Sequence, residues 1–398
     1  MTRFARGYVR CIQCVIGDDL EKSLYERKTL LGRWADGQDA ELPDEFWHRH
    51  PRFSRDRRVR RKFATKWADA RLICPKGHDM PEEFLETGVQ YAVISVVGPP
   101  GSTKTHFLRW FKASLEGSPG VGTDGSSAAK GLRNIDWQGQ LWDGQRDEWL
   151  RVMKTQHPGV ETNEDQNLDA TTETRPPWVF VLKRLDKRRI VQPHRPPFIV
   201  IVPDPEGATL LKGSTMTSLA SCLVLLVPPS SLGDPQRTSD PASAPSIGPS
   251  VEDSIKVART QLNNWLGDHR ARSVVFVACK SDMYQDVTHF PAEARQQRDL
   301  SSGLESVGEA IANDSVILTQ WLSSVPDNRV FEYVRGRVLA EPGAKLYVSA
   351  VGGLGPENPG QSYDPGHAAR CLDALLVTLG KFDLSRTAPE PEKVPGNA

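Results

Sequence analysis

The chain has 398 residues, with 50 basic and 50 acidic side chains and a formal net charge of zero. That length suits one large domain with an appendage, and the balanced charge excludes whole-chain attraction to nucleic acid or to an anionic membrane. The start, "MTRFARGYVRC", has no apolar signal-type run, and the longest apolar run, "CLVLLV", is far short of the roughly 20 residues that span a bilayer, so a cytoplasmic protein without membrane contact is expected.

The first pattern in the chain is Cys11-x-x-Cys14, answered much later by "CPKGHDMP", which supplies Cys74 and His78. Three thiolates and one imidazole make a tetrahedral zinc set. The Pro75-Lys76-Gly77 turn is what such a knuckle needs, because the sulfur requires nearby backbone N–H donors. Closing the long intervening loop costs only slightly more than closing a short one. The alternative is a group of reduced surface thiols beside a solvated histidine. Six cysteines in this length are not a secreted disulfide framework, and Cys222 and Cys279 lie in apolar runs as small hydrophobes. Between the two halves lies "HPRFSRDRRVRRKFATKW", whose basic stretch 52–62 is followed by Phe63 and Trp67. It reads as a charged helix face with an apolar stripe more readily than as a nucleic-acid patch.

Six apolar runs of strand length follow: 91–98, 178–184, 198–204, 222–228, 273–280 and 345–350. Helical patterns occupy 104–116, 251–268, 301–324 and 368–382. Strand alternating with helix predicts an α/β fold, a doubly wound and mostly parallel sheet. The runs 178–184 and 198–204 have no helical pattern between them, which predicts an antiparallel hairpin at one edge of the sheet. "SLEGSPGVGTDGSSAAKG" (114–131) reads as loop. The Pro/Ser-rich stretch 228–250 and the end of the chain read as disordered.

The first apolar run ends in "GPPGSTKT", Gly98 to Thr105. After a strand and before an amphipathic helix, this places backbone N–H groups and a helix N-terminus where phosphate oxygens can sit. Gly98, Gly101, Ser102 and Thr103 form the loop, Lys104 can reach β and γ oxygens, and Thr105 can ligate Mg²⁺. Thr103 stands where the pattern G-x-x-x-x-G-K-[ST] has glycine, and its Cβ crowds the backbone. "DPEG" gives Asp204-x-x-Gly207 after the third run, otherwise an ordinary turn. "ACKSD" ends the fifth: Lys280 can pack over a base, and Asp282 can accept from the N1–H and 2-amino groups of guanine, which adenine does not offer. Cys279 there replaces a polar brace. Ser349-Ala350 closes the sixth run. All four signals end strands, on the side where open α/β sheets bind ligands.

In that order the motifs from about Tyr91 to Phe382 resemble a translation-factor/Ras-type P-loop GTPase. The resemblance implies strand order 2-3-1-4-5-6, GTP or GDP with Mg²⁺ held through Thr105 and Asp204, a γ-phosphate contact at Gly207 and a guanine contact at Ser349-Ala350. A switch threonine is implied before the second strand, with Thr174 nearest among Thr171, Thr172 and Thr174. Ala208 stands where many such enzymes have a water-orienting glutamine, which implies slow hydrolysis with Lys104 and Thr174 as its catalytic residues. With the Cys-rich element in front, the chain looks like the bacterial double-GTPase-type proteins predicted in conflict or signalling systems, whose zinc-ribbon or treble-clef-like module precedes an insertion-rich GTPase domain. The implied layout is a Cys/His zinc-knuckle module at 1–85, a P-loop GTPase-like domain at 86–382 with insertions near 114–177 and 228–250, and a tail at 383–398. The implied partners are guanine nucleotide and a protein effector. A pseudo-GTPase scaffold is the other reading, favoured by Thr103, Cys279 and Ala208.

Overall fold

The computed structural model describes residues 8–11, 14, 24–26, 29–33, 39–42, 71–81, 83, 89–99, 102, 104–116, 132–133, 135–146, 177–185, 197–203, 219–232, 250–266, 272–279, 290–291, 303–325, 328–352 and 370–387. They form a mixed α/β protein with both parallel and antiparallel strand pairing. Two compact units divide the chain: Met1–Val96, Asp136–Ala220 and Asn263–Asp268 in the first, and Val97–Ile135, Ser221–Leu262 and His269–Ala398 in the second.

The first unit begins with short strands. β1 (Tyr8–Arg10) and β2 (Leu24–Glu26) pair antiparallel. β3 (Leu31–Arg33) lies between β4 (Asp39–Glu41) and β5 (Arg71–Ile73), antiparallel to both. Leu30, Leu42, Leu72, Ile73 and Met80 are buried around this second small sheet.

The longer strands of this unit are β6 (Gln90–Val97), β7 (Trp137–Leu141), β8 (Trp178–Arg184) and β9 (Phe198–Val202). β6 runs parallel to β9, β9 antiparallel to β8, and β8 antiparallel to β7. The β8–β9 hairpin is as expected, but β8 is not the edge. β7 lies outside it, in a segment read from sequence as insertion. Its pattern is strict alternation, with Trp137, Gly139 and Leu141 buried, diluted by glutamine and glycine, which are weak strand formers. Beyond β7, Gln145 continues the pairing with its side chain: its amide donates to the Pro177 carbonyl at 2.7 Å and accepts from the Val179 N–H at 2.8 Å. The first unit also links Glu83 to Lys183 near the end of β8, at 3.7 Å.

In the second unit, β10 (Cys222–Val227), β11 (Ser273–Cys279) and β12 (Lys345–Val351) run parallel in that order. Every residue of β10 and β11 is buried, as expected of strands covered on both faces. α1 (Lys104–Glu116) buries Phe107, Leu108, Phe111 and Leu115, a helical stripe. The helix ends where the helical pattern 104–116 does, so residues 114–116, which the loop reading 114–131 also covered, are helix. α2 (Val251–Leu266) is opened by a capping box: Ser250 Oγ accepts from the Asp253 N–H and donates to the Asp253 carboxylate.

α3 (Leu304–Ser324) and α4 (Arg329–Leu339) pack on β12, and α5 (Asp373–Thr387) packs on β10 and β11. Phe276 of β11 meets Phe331 of α4 edge to face at 5.3 Å. Cys279 of β11 neighbours Cys371, just before α5; burial and the nearby Asp373 push the Cys371 thiol up. Positions 276 and 279 point to opposite faces of the strand, so helices cover both faces of this unit.

Four sequence expectations need correction. α4 was missed; it is started by Asn328, whose side chain accepts from the Phe331 N–H. Residues 228–232, read as disordered, form a buried 3-10 turn in which Ser231 bonds Ser254 at 2.6 Å; the rest of that stretch, 233–249, lies outside the described residues. α5 runs to Thr387, past the expected start of the tail. The sixth strand continues to Val351. The buried state of Cys222 and Cys279 is as read.

Candidate nucleotide and metal sites

The turn after β6 is built around Gly98. A Cβ there would collide with Ser102 Oγ and stand 2.8 Å from the Leu226 carbonyl oxygen on β10. Only glycine lets the chain pass this close. The Ser102 N–H donates to the Pro99 carbonyl at 3.1 Å, closing a tight turn, and Ser102 is buried. α1 then starts at Lys104, half-buried at the helix N-terminus. Strand, tight turn and helix thus follow one another within a few residues, the local geometry in which unpaired N–H groups of a first helical turn face an anion. Thr105 is the second residue of α1. Gly101, Thr103, Thr174, Asp204, Gly207, Lys280 and Asp282 lie outside the described residues.

Cys279 is the last residue of β11, fully buried and in register with Val351. Lys280 follows it directly. Ser349 and Ala350 are inside β12, paired with Val277 and Ala278, so Gly352 and not Ala350 follows the strand end. The Ser349 hydroxyl is turned inward and donates to Asp373 Oδ2 at 2.7 Å; both residues are 1% exposed. On β12, the Val348 N–H donates to the Ser315 hydroxyl of α3 at 2.8 Å. These two bonds fix β12 to its covering helices, a constraint that no local sequence pattern displays.

The four N-terminal candidates come together. Cys11 follows β1, Cys14 lies three residues on, and Cys74 and His78 bracket a turn after β5. Their donor atoms all lie within 4.8 Å of one another. Cys14 Sγ is 3.8 Å from Cys74 Sγ, and His78 Nδ1 is 3.7, 3.3 and 3.6 Å from the sulfurs of Cys11, Cys14 and Cys74. A tetrahedral zinc ion with Zn–S of about 2.3 Å and Zn–N of about 2.0 Å sets donor–donor edges of about 3.5–3.8 Å. The residues therefore fit that ion.

The turn itself is prebuilt. The Gly77 N–H donates to the Cys74 carbonyl at 2.8 Å and the Cys74 N–H to the His78 carbonyl at 2.9 Å. Gly77 has φ +81°, which side-chain-bearing residues rarely adopt. Ile73 and Asp79 then bridge as a hairpin. The Cys74 thiol is lowered to about 5, first by the hydrogen bond from Cys11 and then by the backbone N–H groups of His78 and Lys76, against a burial penalty. The same bond and burial push the Cys11 thiol up. The lowering favours the thiolate at Cys74, the form a metal binds.

No protein-family model and no curated protein matches this chain. Among solved structures, it is similar to a chain of the "Signal recognition particle receptor SRb-GTP/SRX complex from Chaetomium thermophilum", at 12% identity and a TM-score of 0.32, covering 73% of this chain and 97% of that one. A TM-score that low supports no residue correspondence. The chain's own geometry shows an α/β protein with a strand, a tight turn at Gly98 and a helix, and a Cys₃His cluster that could hold a metal. No helix among the described residues is long and apolar enough to cross a membrane.

Proposed function

We propose that the chain is a guanine-nucleotide-binding switch protein of the P-loop GTPase type, acting in a bacterial defence or signalling system through a protein effector. The observation that carries the reading is the turn at Gly98, closed against Leu226 with no room for a side chain and leading straight into Lys104 at the start of α1. In this reading the backbone of residues 98–103 cradles the phosphates. Lys104 stabilises charge on the β and γ oxygens, and Thr105 and Asp204 hold Mg²⁺. Gly207 and Thr174 respond to the γ-phosphate, so that the segments around them order with GTP and relax with GDP. Lys280 and Asp282 read the base. The strand order is 2-3-1-4-5-6 in the six-run numbering, with β7 added outside the second run. The base-facing backbone N–H groups lie at the end of the sixth strand, at Ser349-Ala350. Hydrolysis is slow, because Ala208 cannot orient water. The layout is a zinc-knuckle module at 1–85, a nucleotide domain at 86–382 and a tail, with zinc held by Cys11, Cys14, Cys74 and His78.

The test is titration with GDP, a non-hydrolysable GTP analogue and the adenine counterparts, all with Mg²⁺. Micromolar guanine binding without adenine binding is expected, and Lys104→Ala should abolish it. A second reading, a pseudo-GTPase scaffold, is favoured by the full burial of Cys279 within β11, where the usual Asn or Thr would brace the loop. Absence of binding to any nucleotide would select that reading.

A further inference from the structure

We infer that the metal at the Cys₃His cluster is the staple that joins two separate small sheets, and that His78 binds it through Nδ1. The inference deepens the zinc reading above and depends on it, while standing apart from the nucleotide reading. Cys11 directly follows β1, which among the described residues pairs with β2 in a two-stranded sheet; Cys74 directly follows β5, in the three-stranded sheet with β3 and β4. Each of these five strands is three residues long. A two-stranded ribbon is marginal in water on its own, and an added link would steady it. The shared cluster supplies one, because donors from both sheets converge at tetrahedral spacing. All three sulfurs are buried and His78 is half-buried. A four-donor set of this kind closes the coordination shell, which is the mark of a structural site.

The histidine geometry adds a sharper claim. Nδ1, next to the ring carbon that carries Cβ, is the nitrogen facing all three sulfurs. A donor so near the backbone has a reach close to that of a cysteine sulfur, whereas a site using the distal Nε2 would leave a cysteine too short. His78→Cys should therefore keep the metal, and His78→Ala should lose it. The Lys76–Gly77 bond reports the staple, because it sits at the tip of the knuckle with Lys76 exposed, in a turn held by the Gly77 and Cys74 N–H bonds.

The experiment uses the full chain. Metal analysis should find one zinc per chain, and zinc X-ray absorption should show three sulfurs near 2.3 Å and one nitrogen near 2.0 Å. Chelation, or His78→Ala, should speed tryptic cleavage after Lys76 by about tenfold or more, read by mass spectrometry, because a local unit opens. Re-added zinc should restore protection in the parent, and His78→Cys should hold zinc and stay protected. Stoichiometric zinc whose removal leaves the Lys76 bond equally protected would overturn the staple and leave the metal reading standing. A folded His78→Cys chain that binds no zinc would overturn the Nδ1 assignment. A parent chain without zinc would remove both, with the nucleotide titration unaffected.

Discussion

The N-terminal sheets and the β10–β11–β12 group hold themselves together by different physics. β10 and β11 are buried along their whole length, so each residue adds apolar burial at roughly 25 cal/mol per Å². The small sheets have three residues per strand, and β3 buries Gly32 between half-exposed Leu31 and Arg33. There short-range geometry stands out beside burial: a φ +81° glycine, two turn hydrogen bonds and four converging donors. A substitution that is severe in one region should therefore be mild in the other.

The largest effect is expected at Phe276, fully buried on β11 against Phe331. Phe276→Ala should cost about 3–5 kcal/mol, a large share of the stability of an ordinary domain, measured by denaturant unfolding. The zinc content should not change in material that remains folded. An effect under about 1 kcal/mol would mean that this aromatic pair does not organise the second unit.

Gly98→Ala comes next. Its methyl would press on Ser102 and on the Leu226 carbonyl, and overpacking of this kind costs about 1–3 kcal/mol. Guanine-nucleotide affinity should fall with it, and unchanged binding and stability would contradict the tight turn. Ser349→Ala removes the hydroxyl that partners buried Asp373, at about 1–3 kcal/mol. Nucleotide affinity measured on folded protein should hold, because the contact read at Ser349-Ala350 is through the backbone N–H; a selective loss of affinity would show that the hydroxyl itself serves the nucleotide site. The smallest effect belongs to Gly77→Ala. A Cβ there has ordinary space, 3.4 Å from Arg33 Nη2, so only the backbone strain counts, about 1 kcal/mol. Zinc affinity should drop and the unfolding of the β10–β12 unit should not move.

Sequence reading reached furthest where one residue type has one physical use. The apolar runs at 222–228 and 273–280 were legible as buried strands, because no other local structure needs an unbroken run of that length. Cys11, Cys14, Cys74 and His78 were legible as a group because few patterns other than metal binding place such donors around a turn. β7 was not legible, since "WQGQL" carries a strand's alternation on residues that resist strands. α4 was lost between two stronger neighbours. The Ser349 hydroxyl's bond to Asp373 was not legible, for where a strand hydroxyl points depends on what packs over it.

The sequence by itself determined the class of fold, the glycine that must precede Lys104 and the four donors of the Cys/His cluster, because periodicity, backbone freedom and ligand chemistry are local properties. Only the tertiary structure decided that Nδ1 of His78 faces the sulfurs, that Gly98 closes against Leu226, and that Ser349 binds Asp373. Those depend on distances between segments far apart in the chain: the Gly98–Leu226 and Ser349–Asp373 approaches follow from how the buried strands of the second unit pack, and the His78 geometry from the turn after β5 meeting the residues after β1.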